Sequence, residues 1–84
     1  MKNEKEIFSD ICSILKESFD KNNISLASTL SKGDNSLDLN SIEIVSFIMK
    51  VEENFNIIID FDVLFVTVQD VVNEVQRLLN QWYY

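Results

Sequence analysis

Three stretches of the chain repeat apolar residues at helical spacing, and two that do not repeat them lie between. From about Asn3 to Phe19, Ile7, Phe8, Ile11, Cys12, Ile14, Leu15 and Phe19 recur every three or four positions, with Lys, Glu, Asp and Ser between them. From Ser41 to Phe55, Ile44, Ile48, Val51 and Phe55 share one side, while Glu43, Ser46, Lys50 and Glu53 share another. A third stripe runs through Val68, Val71, Val72, Val75, Leu78, Leu79 and Trp82. Two of these helices have legible starts. Asn40 offers a side-chain oxygen to an otherwise unpaired N–H, and Glu43, three residues on, can reach back to complete a capping box. Ser41 then takes the first helical position. Thr67 caps the last helix in the same way, with Asp70 in its first turn.

The intervening stretches are less regular. Asp20 to Asp38 is rich in Asn, Ser and Asp and holds the only glycine, Gly33, in a turn signal; Ile24, Leu26, Leu30 and Leu37 are expected to pin this long loop under the helices. From Phe55 to Val66 every odd-numbered residue is apolar, and read alone the run is a strand. No other stretch offers a partner strand, and an unpaired strand would leave its edge open. The expectation is therefore an extended segment to about Ile59 and a short helix within Asp60–Val66. Trp82, Tyr83 and Tyr84 either fray or fold back. The fold class is all-α, three main helices and one short helix around a single core.

Composition narrows the possibilities. A chain of 84 residues, 46% hydrophobic, with one Gly and no Pro, suits one domain spanning residues 1–84. A chain of this size hides only about 60–65% of its unfolded surface, which favours binding over a deep private active site. The net charge of −7 argues against a nucleic-acid footprint and toward basic protein partners, although plain solubility has the same signature. Cys12, the only cysteine, falls on an apolar helix face as a small hydrophobe and fits a reducing compartment. No secretory leader or membrane-length apolar run is visible, so a cytoplasmic, soluble monomer is expected.

Candidate chemistry is sparse. Without histidine there is no Ser-His-Asp arrangement, and a lone serine hydroxyl lacks a base, so an enzyme is not expected. An EF-hand begun at Asp34 would put Leu39 where glycine is needed and Val45 where the bidentate glutamate belongs. Asp60 and Asp62 have no further ligands at suitable spacing, and with no His and one Cys zinc is excluded in practice, so no metal is expected.

Leu37, the triplet Asn40-Ser41-Ile42, the tail Glu52-Glu53-Asn54-Phe55, the run Phe55-Asn56-Ile57-Ile58-Ile59 and the pair Thr67-Val68 together resemble the acyl and peptidyl carrier proteins. The resemblance implies a carrier-type helical bundle whose Ser41 bears a 4′-phosphopantetheine arm taken from coenzyme A. A phosphopantetheinyl transferase would supply the base and the metal-bound coenzyme. The arm's thiol, not Cys12, would hold acyl or aminoacyl cargo as a thioester for loading and synthase enzymes of fatty-acid, polyketide or nonribosomal-peptide type. The resemblance also implies that Asn40, Ile42, Glu43, Met49, Glu52 and Glu53 meet basic patches on those enzymes. The chain departs from the family at Asn40, where aspartate is usual, and at Asp60, where proline is frequent. Ser46 and Lys50 make the second helix less acidic than a typical fatty-acid carrier's, leaving room for a specialised carrier. Asn35-Ser36-Leu37-Asp38 offers a competing frame, but Ser36 lies five residues too far from Phe55. The alternative reading is an unmodified helical adaptor that binds a protein through the second helix.

Overall fold

The computed structural model describes residues 3–33, 35–60 and 62–81. Three helices form in chain order: α1, Glu4–Phe19; α2, Ser41–Phe55; and α3, Val68–Asn80. Each opens with a capping box. The side chains of Asn3, Asn40 and Thr67 accept from the N–H three residues on, and Glu6, Glu43 and Asp70 accept from the cap's own N–H in return. The boundaries expected at Asn40 and Thr67 are met, because both signals act within one turn.

With one glycine available, Asn and Asp make most of the left-handed turns. Asp20, Asn23, Asn35, Asp38 and Asn56 all have φ between 54° and 56°, a conformation their short polar side chains tolerate better than other non-glycine residues do. Asp20 and Asn56 thereby end α1 and α2. Gly33 has φ 125°, which L side chains rarely adopt, so a substitution there would be strained although an added Cβ would meet Thr29 at an ordinary contact distance of 3.4 Å.

α1 packs against both α2 and α3, which touch each other far less. The space between them is filled by one core. Ile7, Ile11 and Leu15 of α1, Phe47, Val51 and Phe55 of α2, and Val68, Val71, Val72 and Val75 of α3 are buried. Leu30, Leu37, Leu39, Ile57 and Ile59 join them from the connecting segments. Phe47 was not legible as a core residue, since the sequence pattern centred the buried side on Ile44 and Ile48. In the structure those two are only half-buried, and the fully buried line is Phe47, Val51 and Phe55 at intervals of four. Phe47 also meets Phe19 edge-to-face, ring centroids 6.3 Å apart, a contact worth about 0.5–1.5 kcal/mol beyond area burial.

The 20–38 loop is pinned as expected, by Leu30 and Leu37 fully and by Ile24 and Leu26 in part. Its backbone does something the pattern did not announce. Leu30 N–H donates to Val66 C=O and Val68 N–H to Ser28 C=O, both at 2.9 Å, forming an antiparallel bridge of Thr29 with Thr67. The approach to α3 thus has a backbone partner after all, though only a single bridge long.

The short helix expected within Asp60–Val66 is not seen among the described residues. One turn stands there, Val63 N–H donating to Asp60 C=O at 3.3 Å, followed by irregular chain to Val66. The bridge at Leu30 and the Asp70 carboxylate, which accepts from Val66 N–H at 2.8 Å, hold the end of this segment extended. Phe61 and the expectations for Trp82, Tyr83 and Tyr84 lie outside the described residues. Among the described residues no helix is long and apolar enough to cross a membrane.

Two outcomes test this packing. Phe47→Ala should cost about 3–5 kcal/mol in urea unfolding, whereas Val45→Ala on the exposed face should stay within about 0.5 kcal/mol. Asp70 has a carboxyl held below its ordinary value, chiefly by the backbone N–H groups of Thr67 and then Val66. Its stabilising contribution is therefore full above the unfolded value of about 3.9 and is lost as pH falls from there through the lower folded value. Asp70→Ala should flatten the acid limb of a stability-against-pH curve over that window, with little change in its shape near neutrality.

Candidate functional site

The site grows from the start of α2. Asn40 is extended, φ −80° and ψ 175°, so the chain turns sharply into the helix at Ser41. Asn40 Oδ1 accepts from Glu43 N–H at 2.8 Å, and Glu43 Oε1 accepts from Asn40 N–H at 3.0 Å. Upstream, Leu37 N–H donates to Thr29 C=O at 2.8 Å and Leu39 N–H to Leu30 C=O at 2.9 Å. Both leucines are buried while Asp38 and Asn40 face out. The run into the helix is thus fixed by backbone bonds on one side and by two apolar anchors beneath it.

Ser41 is exposed, and among the described residues its hydroxyl has no hydrogen-bond partner. The first-turn N–H groups of α2 and the positive end of its dipole favour negative charge beside it. Ser36 is in the opposite situation. Its hydroxyl donates to Ser31 C=O and accepts from Asp38 N–H at 2.9 Å, closing the loop that precedes α2. Freeing it would cost two hydrogen bonds, so geometry as well as spacing favours Ser41 as the presented alcohol.

Beside Ser41 runs an apolar face. Ile42, Val45 and Met49 are 79%, 60% and 56% exposed and, with Ser41 and Ser46, line an open depression along the outer side of α2. Ile42 and Met49 were expected here. Val45 was missed, although the intervals of three and four from Ile42 through Val45 to Met49 carried the signal.

The three glutamates read as partner contacts are not equivalent. Glu53 is exposed. Glu43 is half-buried and engaged in the capping box. Glu52 is half-buried, and its Oε2 accepts from Ile59 N–H at 2.7 Å, seven residues ahead. Two of the three acids therefore serve the backbone, and Glu53 alone is fully displayed.

Cys12 is half-buried, and burial raises its thiol above the ordinary value, which lowers its fraction of reactive thiolate. Among the described residues no three His, Cys, Asp or Glu side chains gather into a metal-binding group. What this arrangement offers chemically is an exposed alcohol at a helix N-terminus, next to an open apolar surface. No protein-family model matches the chain, and no curated protein matches it either.

The cap is open to a direct test. Asn40→Ala should destabilise the chain by about 1 kcal/mol in denaturant unfolding. Asn40→Asp should keep the cap and add about 0.3–1 kcal/mol at low salt through the helix dipole, the gain shrinking as salt is raised.

Proposed function

We propose that this chain is a carrier protein of the acyl and peptidyl carrier type, not an enzyme, bearing 4′-phosphopantetheine on Ser41. The observation that carries the reading is the exposed, unbonded Ser41 hydroxyl at the first helical position of α2, flanked by the pattern from Leu37 to Phe55. These residues fit the group. A phosphodiester on Ser41 meets first-turn N–H groups and the positive helix end, and no neighbouring side chain has to move off the hydroxyl to admit it.

In the attachment step Ser41 Oγ forms a bond to the pantetheine-bearing phosphorus of coenzyme A. The pyrophosphate P–O bond breaks, adenosine 3′,5′-bisphosphate leaves, and the hydroxyl proton passes to a base on the transferase. Once attached, the arm supplies a thiol that holds acyl or aminoacyl groups as thioesters. The chain's own part is to hold Ser41 outward on a fixed cap and to offer Ile42, Val45 and Met49 as an apolar landing face. Exposed Glu53 attracts basic partner surfaces, an effect that quickens encounter and sets orientation more than it tightens binding. Asn40 and Glu43 fix the geometry of that face, and Glu52 stands at its far end. The partners are a phosphopantetheinyl transferase and the loading and synthase enzymes of fatty-acid, polyketide or nonribosomal-peptide type, met by a monomeric carrier. A single unpaired cysteine fits the reducing cytoplasm.

A second reading is favoured by the same exposed stripe, Ile42, Val45 and Met49, which would suit an unmodified adaptor that binds a protein through α2. Intact mass after co-expression with a broad-specificity phosphopantetheinyl transferase separates the two. The carrier should gain one phosphopantetheine, and Ser41→Ala should abolish the gain. Absence of any gain would leave the adaptor. A gain retained in Ser41→Ala and lost in Ser36→Ala would move the attachment to Ser36.

A further inference from the structure

Residues 56–60, which follow α2, carry an edge that the rest of the chain leaves open. Burial alternates along them as in a strand, Ile57 and Ile59 inward and Ile58 and Asp60 outward. Ile57 N–H and Ile59 N–H donate to the main-chain carbonyl and the carboxylate of Glu52, at 3.1 and 2.7 Å, and so turn to one side. The N–H and C=O of Ile58, which point the opposite way in such a chain, have no protein partner among the described residues. The Ile58 side chain is 84% exposed. An exposed apolar residue on an unpaired backbone edge is a place where a further strand can add.

Beside that edge lies an open depression of about 450 Å³, lined by Ile57, Ile58 and Leu78 together with Asn56 and Gln81. Asn56 and Gln81 are the C-caps of α2 and α3, so two helix C-termini, each the negative end of its dipole, meet here. Exposed Glu53 and Asp60 flank Ile58 along the chain. The last turn of α2 has no base, and Arg77, the base near Asp60, is held by Glu74 through hydrogen bonds of 3.0 and 2.6 Å. The lining is thus largely apolar and its surroundings are electronegative, which selects an occupant apolar at its centre and cationic at its ends. A second copy of the chain brings the same acids to the same place and is opposed by like charge.

We propose that residues 56–60 bind an extended segment of a partner protein in which a large apolar residue is flanked by basic ones. The segment pairs with Ile58 N–H and C=O as an added strand and packs its apolar side chain into the depression against Ile57, Ile58 and Leu78. Main-chain pairing supplies affinity with little regard to sequence, while the depression and the acids supply selectivity. The length of α2, about 20 Å, separates this edge from Ser41. A partner held here therefore leaves Ser41 and the stripe of Ile42, Val45 and Met49 open to a different protein, so that the chain can be tethered at one end of α2 while it is engaged at the other. The proposal does not depend on Ser41 being modified.

Residue-resolved NMR with amide hydrogen exchange on the full, unmodified chain tests it, using acetyl-Lys-Val-Phe-Val-Lys-amide and, at equal charge, acetyl-Lys-Gly-Gly-Gly-Lys-amide as probes. The first peptide should shift the resonances of residues 56–60 and Leu78 and at saturation slow exchange at Ile58 about tenfold or more, while Ile11 and Val72 hold. The glycine peptide should do neither. Ile58→Pro, which removes the donor, should abolish the shift at Leu78, and Ile58→Ser should weaken binding about threefold or more. Glu17→Gln on α1 should leave binding unchanged. Unaltered Ile58 exchange at saturating peptide would remove strand addition, and an equal response to the glycine peptide would remove the apolar pocket. Shifts confined to Ile42, Val45 and Met49 would assign the peptide to the outer stripe of α2 instead. A concentration-dependent dimer lost in Ile58→Ser would give the edge to a second copy, and binding seen only after removal of residues 82–84 would give the depression to the chain's own end. If Ile58→Pro fails to fold, Ile58→Ser and exchange in the wild type decide the question. The mass test of Ser41 shares none of these readouts, so the two readings fail separately.

Discussion

The arrangement depends on the backbone of Ser28–Leu30. This short piece of loop lies between two others and bonds to both: Leu30 N–H and Ser28 C=O face Val66 and Val68, while Thr29 C=O and Leu30 C=O take the N–H groups of Leu37 and Leu39. Val66–Val68 leads into α3 and Leu37–Leu39 leads into α2. Since the two helices touch each other little, their starts are positioned relative to one another largely through this strip. Buried backbone groups must find partners, and here meeting that requirement also sets the geometry of the site. Ser28 shows how completely it is met: its buried hydroxyl accepts from Ser25 N–H at 2.9 Å, and no buried side-chain polar atom among the described residues lacks a partner.

Two of the three helix starts were legible in advance because their signals act within one turn of chain. Asn40 with Glu43 and Thr67 with Asp70 are complete signals in four residues, so α2 and α3 begin where the sequence says they do. Leu30 and Leu37 were readable as pegs because apolar residues in a polar loop have few other places to go. Val45 and the Asn3–Glu6 cap of α1 were signalled locally; the other misses involve distance along the chain. Phe47 is the most buried ring of α2 because Phe19 of α1 comes to meet it, which periodicity within α2 does not reveal. The segment before Thr67 stays extended because residues nearly forty positions earlier bridge to it. The role of Glu52 was hidden for the same reason, since only the fold brings Ile59 N–H to it.

This last point changes how the charge of α2 is to be understood. A run of glutamates suggests an electrostatic surface, yet Glu43 and Glu52 are each committed to a backbone N–H and their carboxylates are held in place. A carboxylate held this way is an oriented charge, which has already given up the rotamer freedom that a mobile surface glutamate would lose on binding. Its remaining oxygen can still accept from a partner. The acidic face is thus smaller in free charges than the sequence implies, but more ordered.

The same reasoning bears on Asn40. An aspartate at the cap would hold both the helix start and a negative charge next to the serine hydroxyl. Asparagine holds the start alone, and the acid left in the first turn of α2 is Glu43, whose Oε1 is already engaged with the Asn40 N–H. An incoming phosphate anion meets less repulsion at such a site than it would beside an aspartate, and the dipole acts on it with less local cancellation. A cation approaching this face would find one anchor fewer near the serine than beside an aspartate, and the exposed acid is Glu53, toward the far end of α2. Asparagine at position 40 therefore leaves the negative charge of α2 farther from Ser41 than an aspartate would, toward the end of the helix where Glu52 holds the Ile59 N–H.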